Sequence, residues 1–187
     1  MKNYVRAKRL RVCGAPVFLH WSALVVIGGC LATSISDPIV AVVATASYFG
    51  MILIHEYGHA WVARKLGYDV YSIRLSVIHG ECQYEASHET ARDAALIAWG
   101  GPMAQFVAAI AVWLLALVPV VDDSEVFGPL MAFFGYLGPL LAMVNLAPSP
   151  HLDGARAWSL IPMLWNDLSR QRKKKKTRSR SSFKIVK

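Results

Sequence analysis

Residues 52–61 read ILIHEYGHAW and set His55, Glu56 and His59 inside a stretch, Ile39 to Val62, that is otherwise almost wholly apolar or small. A charged side chain at mid-helix in hydrocarbon costs about 2.5 to 3.5 kcal/mol on insertion scales, so ionisable groups kept there mark function. His55 and His59 stand four residues apart, which on a helix puts both imidazoles on one face with Cβ atoms about 5–6 Å from each other. That spacing suits one zinc ion taking a nitrogen from each ring at about 2.0–2.1 Å. Glu56 projects beside them without competing for the same position and is placed to take a proton from a metal-activated water. On a charged surface helix the five residues HEYGH would need no explanation. Among apolar neighbours they would be three unpaired polar groups in hydrocarbon, and metal binding removes that cost.

The rest of the 187-residue chain fits a membrane setting: 55% of it is hydrophobic and its mean hydropathy is +0.39. Four stretches, Val17 to Ser34, Ile39 to Ala63, Ala94 to Val121 and Val126 to Asn145, reach or approach the ~20 residues that cross a ~30 Å hydrocarbon core. All twenty Lys and Arg lie before Val17, between Ala63 and Ala94, or after Asn145, while the connections Ser34 to Pro38 and Asp122 to Glu125 carry only acids. This positive-inside pattern predicts a multi-pass integral membrane protein with both termini cytosolic. The fold class expected is therefore an all-α polytopic membrane protein of about four transmembrane helices. YSIRLSV, residues 71–77, alternates in the period of a strand, and a turn at His79 and Gly80 returns it through Cys82 and Tyr84 as a small β hairpin on the cytosolic side.

Three regions follow: a basic cytosolic N-terminus at 1–16, a core at 17–166, and a basic, disordered cytosolic tail at 167–187. The net charge of +8 is an orientation and lipid-contact signal. The tail RQRKKKKTRSR is expected against anionic lipid headgroups, with no nucleic acid as partner. Residues 1–34 share features with a secretory signal, but the polytopic pattern behind them favours a retained first helix. Cys13, Cys30 and Cys82 are too scattered for a disulfide framework or a metal knuckle.

A zinc ion needs more than two ligands, and NLAPSPHLDGARAW, residues 145–158, offers Asn145, His151 and Asp153 where Pro148, Pro150 and Gly154 break the fourth apolar stretch. A broken helix is tolerated at membrane depth only where protein or a water-filled cavity satisfies its freed backbone groups.

These residues resemble the site-2 protease family of intramembrane zinc metalloproteases. HEYGH is similar to its HExxH, NLAPSPHLDG to its NxxPxxxLDG segment, Gly100 to Pro102 to its small-Gly-Pro turn, and VFLHWS, residues 17–22, to the entry of its first helix. The resemblance implies one zinc per chain held by His55, His59 and Asp153, with Glu56 as catalytic base and Asn145 and Pro148 positioning substrate. His151 stands where proline is usual, Ala155 where a second glycine is common, and Gln105 where asparagine often follows the turn. His20, opening the first stretch, and His151 are accessory candidates. Asp153 is preferred to His151 as third ligand because the membrane context gives it no other use and Gly154 leaves room for its approach. The function implied is hydrolysis of a peptide bond in or near the transmembrane segment of a membrane-anchored protein or peptide substrate. The alternative is a non-proteolytic membrane metal-binding or transport protein, although the outer halves of these stretches carry no polar path.

Overall fold

A computed structural model describes residues 3–33, 37–77, 79–122 and 124–181. Ser34 and Asp123, expected in the outer connections, lie outside the described residues, as do residues 182–187 of the tail. In chain order the elements are β1 (Tyr4–Val12), β2 (Ala15–His20), α1 (Trp21–Thr33), α2 (Pro38–Lys65), β3 (Val70–Leu75), β4 (Gly80–Tyr84), α3 (Ala91–Leu115) and α4 (Pro119–Asp122). α5 (Phe127–Leu130), a π-helical segment (Met131–Leu137) and α6 (Gly138–Asn145) then form one continuous rod, followed by the single turn α7 (Gly154–Ala157) and α8 (Leu160–Ser181). Among the described residues, three helices are long and apolar enough to cross a membrane: Pro38–Lys65, Ala91–Leu115 and Phe127–Asn145.

α2 is bounded by its own sequence. Pro38 sits in the first turn, where a missing N–H costs nothing, and the Asp37 side chain accepts from Val40 N. At the other end Gly67 takes φ +94°, and the amides of Gly67 and Tyr68 turn back to the carbonyls of Arg64 (3.1 Å) and Ala63 (2.9 Å). This is a Schellman end, which only glycine adopts without strain. α3 is started by Thr90, whose hydroxyl accepts from Asp93 N at 3.1 Å. The two helices meet at Gly58 and Gly100, where a Cβ on either would run into the other's backbone. That glycine pair sets how closely α3 approaches the face of α2 bearing the histidines.

The sheet is larger than a hairpin. Its order is β1-β2-β3-β4, with β2 and β3 parallel and the outer pairs antiparallel. It packs on α2 through Val17, Val70, Ile73 and Leu75 against Met51, Ile52, Ala60 and Ala63. The Tyr48 hydroxyl donates to the Val77 carbonyl and ties the β3–β4 connection to the helix. Within β3, Ile73 and Leu75 are buried as the alternation predicts, but Tyr71 is exposed and Val70 is buried instead. A register shift between Val70 and Ser72 reverses the facing there, and the Tyr71 hydroxyl donates to Glu85.

One expectation is corrected. Residues 17–34 do not form one apolar helix: 17–20 belong to β2, and the 13 residues of α1 span about 20 Å at 1.5 Å each, short of a ~30 Å core. β2 runs across residues 16 and 17, and α8 across residues 166 and 167. The basic stretch from residue 167 to Ser181 is helical, consistent with the favourable helix propensities of Lys, Arg and Gln.

Candidate metal centre

His55 and His59 face the same way from consecutive turns of α2, and both are buried. Each ring is held by its Nδ1. His59 Nδ1 donates to the Ile97 carbonyl at 2.7 Å, an oxygen that can only accept. His55 Nδ1 lies 3.1 Å from Gln105 Oε1, and the Gln105 amide nitrogen reaches the Met51 carbonyl at 3.5 Å. Both imidazoles thus carry their proton on Nδ1 and present the Nε2 lone pair to a common point. The two Nε2 atoms lie 3.0 Å apart, and Asp153 Oδ2 stands 3.0 Å from one and 3.3 Å from the other.

Three electron-pair donors, one of them a carboxylate, converge with no donor hydrogen between them. A cation resolves that arrangement. In tetrahedral zinc with bonds near 2.05 Å, neighbouring donor atoms sit about 3.3 Å apart, so the observed separations fit the ion. The ring partners Gln105 and Ile97 supply the outer support that fixes tautomer and orientation in such sites. When protons occupy the cluster instead, burial opposes ionisation of Asp153, yet the two imidazoles hold its carboxyl well below the usual carboxylate range.

Asp153 arrives on the broken segment after α6. Gly154 makes this possible, since a Cβ there would overlap the Leu146 and Ala147 carbonyls. Two indoles pin the segment: Trp99 Nε1 donates to the Ala157 carbonyl at 2.9 Å and Trp158 Nε1 to the Leu146 carbonyl at 2.6 Å. α3 is adapted to the site as well. Gly101 faces both imidazoles, where a Cβ would collide with His59. Pro102 donates no hydrogen bond into the helix ladder.

The centre opens into a cavity of about 470 Å³ whose wall includes Glu56, Cys82, Asn145 and His151. Glu56 is buried against β4, with its carboxylate where a Gly80 Cβ would be. Cys82 lies on the same wall, and burial, reinforced by the Glu56 charge, pushes its thiol up to about 12. It is a neutral lining group. Asn145 Nδ2 stands 3.5 Å from His55 Nε2. His151 lines the cavity but is not among the three clustered ligand atoms, which belong to His55, His59 and Asp153.

Pro148 is exposed in the turn after α6, and Pro150 rather than Pro148 contributes to the cavity wall. His20 is engaged locally, with its Nδ1 2.7 Å from Ser22 Oγ and its ring edge-on to Tyr4. Gln105, noted in the sequence only as a departure, is the His55 partner. Its signal is a buried amide in an otherwise apolar helix. The Ile97 carbonyl has no side-chain signal at all.

Residues 43–124 match the sequence model of Peptidase family M50. The putative zinc metalloprotease Rip2 of Mycolicibacterium smegmatis is 29% identical, over 80% of this chain and 71% of that protein. The zinc metalloprotease MJ0392 of Methanocaldococcus jannaschii is 28% identical over 78% of this chain, and the putative zinc metalloprotease sll0528 of Synechocystis is 30% identical over 72%. The chain spans only 42% and 35% of the lengths of these last two. The solved site-2 protease of Methanocaldococcus jannaschii shares the fold, with a TM-score of 0.62 at 22% identity over 84% of this chain and 71% of that one.

Proposed function

We propose that the chain is a member of peptidase family M50, as the match over residues 43–124 supports, and that it is a zinc-dependent intramembrane endopeptidase that cuts a membrane-anchored protein or peptide in or beside its transmembrane segment. The observation that carries the reading is the convergence of His55, His59 and Asp153 on one point of a cavity that also holds Glu56.

His55, His59 and Asp153 hold the zinc, which when bound supplies Lewis-acid polarisation of a carbonyl and acidifies water. Glu56 takes the proton of the attacking water and delivers it to the leaving amine. Asn145 donates its amide N–H to the substrate beside the metal ligands. β4 is the last strand of the sheet, and Gly80, Glu81, Cys82 and Tyr84 line the cavity. A substrate helix hides its scissile carbonyl in its own hydrogen bonds, so it must unwind to be cut, and an extended segment can pair with the free edge of β4. Both termini are cytosolic in this reading, and the basic C-terminal run meets anionic headgroups.

The test is cleavage of a panel of single-span candidate proteins by the purified, reconstituted chain, with and without a zinc chelator. Cleavage that stops with chelator and returns with zinc is expected. Cleavage indifferent to chelator, or metal binding with no cleavage across the panel, would overturn the proteolytic reading and favour the metal-binding alternative.

A further inference from the structure

α8 leaves the metal-bearing segment with a row of large apolar side chains exposed along one flank: Ile161, Leu164, Trp165, which is 71% exposed, and Leu168. Their spacing is i, i+3, i+4, i+7, which confines them to an arc of about 100° on a helix of 3.6 residues per turn. The adjoining flank, with Leu160, Met163 and Asp167, is partly buried. Asp167 Oδ2 pairs there with Arg92 Nη1 at 3.6 Å. Arg92 is the second residue of α3, and after Asp93 that helix turns apolar. The ion pair therefore sets the third turn of α8 beside the N-terminal end of α3. From Arg170 to Arg180 the sequence then places eight Lys or Arg and no acid.

We propose that α8 is an in-plane membrane helix, its apolar flank sunk among the headgroups and first methylenes of an anionic leaflet and its basic half laid on lipid phosphates. Such a helix combines a polar, cationic face with a narrow stripe of Leu, Ile and Trp, and binds through both. Other occupants satisfy only half of these features. A nucleic acid would answer the charge but leave Ile161, Leu164, Trp165 and Leu168 in water. A second copy would cover the stripe but bring one cationic run against another. The inference rests on the membrane reading of α2 and α3, and it is independent of the metal and of proteolysis.

The test uses the full chain in nanodiscs of phosphatidylcholine alone or mixed with phosphatidylglycerol, with hydrogen exchange followed by mass spectrometry. Amides of residues 160–181 are expected to exchange about tenfold or more slowly in the anionic discs than in the zwitterionic ones. That protection should vanish in the K173E/K174E/K175E/K176E variant and separately in L164S/W165S. Amides of α2 act as the internal reference: fast exchange there would indict the membrane reading rather than α8. Equal exchange of 160–181 in both lipids overturns the proposal. So does protection that survives either variant, or protection that appears only on adding polyuridylate or on raising the number of chains per disc.

Discussion

A substitution at Gln105 probes the centre without touching a ligand. Leu in its place keeps the bulk but removes the oxygen that accepts from His55 Nδ1 at 3.1 Å. A buried donor left without a partner costs about 1–3 kcal/mol. The two states of the site do not share this cost equally. In the zinc-free chain His55 can shift its proton to Nε2 and donate to Asp153 Oδ2, 3.0 Å away, so the orphaned nitrogen becomes a lone pair. The zinc-bound chain has no such escape, because Nε2 must face the metal bare and the proton stays on the unpartnered Nδ1. Most of the penalty therefore falls on the bound state, and zinc affinity should drop about 10- to 100-fold, or roughly 1.4–2.8 kcal/mol.

Competition against a chromophoric chelator, on the purified chain in detergent, measures this directly. Activity of Gln105→Leu should return when free zinc is raised, since Glu56, His55, His59 and Asp153 are untouched. Gln105→Glu, which still accepts, should bind zinc at least as well as the wild type. Unchanged affinity in Gln105→Leu would refute the tautomer argument, and so would activity that zinc fails to restore in a folded variant.

Glu56→Gln should retain zinc while cleavage falls about 100-fold or more; undiminished cleavage would remove Glu56 from the role of base. Asp153→Ala should lose zinc and activity together, whereas His151→Ala should keep most of its zinc and alter mainly substrate handling, as metal content of the two purified variants would show; the reverse result would exchange their roles. Reporter fusions at Asp37 and Asp123 should read outside, and those at Gly80 and Lys175 inside; Lys175 reading outside would break the proposed topology.

The clustering of His55, His59 and Asp153 was legible because two short motifs carry charge into apolar surroundings, and charge there has few uses. HEYGH fixes two imidazoles by helical periodicity alone, and the Pro- and Gly-interrupted segment around Asp153 reads as a break that needs a cavity. The supports were not legible. The Ile97 carbonyl is a main-chain oxygen, and its meeting with His59 depends on how closely the Gly58 and Gly100 faces approach. Gly80 carries no polar group, yet its lack of a side chain makes the space that Glu56 fills.

The first apolar stretch misleads because hydropathy counts residues and ignores where a helix begins. VFLH, residues 17–20, is apolar enough to extend a helix, but its pairing with β3, more than fifty residues later, draws it into a strand. Such parallel pairing is non-local and leaves no periodic trace near residue 17. The same pairing bears on the shortness of α1. Leu19 pairs with Leu75, Leu75 with Gly80, and Gly80 abuts Glu56. Glu56 lies nine residues before the end of α2, about 14 Å inside at 1.5 Å per residue. If the end of α2 marks the cytosolic surface, as the proposed topology has it, α1 starts near the depth of Glu56. Its own ~20 Å, added to that depth, reaches about 34 Å, which matches a ~30 Å core. In the proposed topology the sheet dips into the membrane beside the metal ligands, and a helix too short to span alone completes the first crossing from its edge.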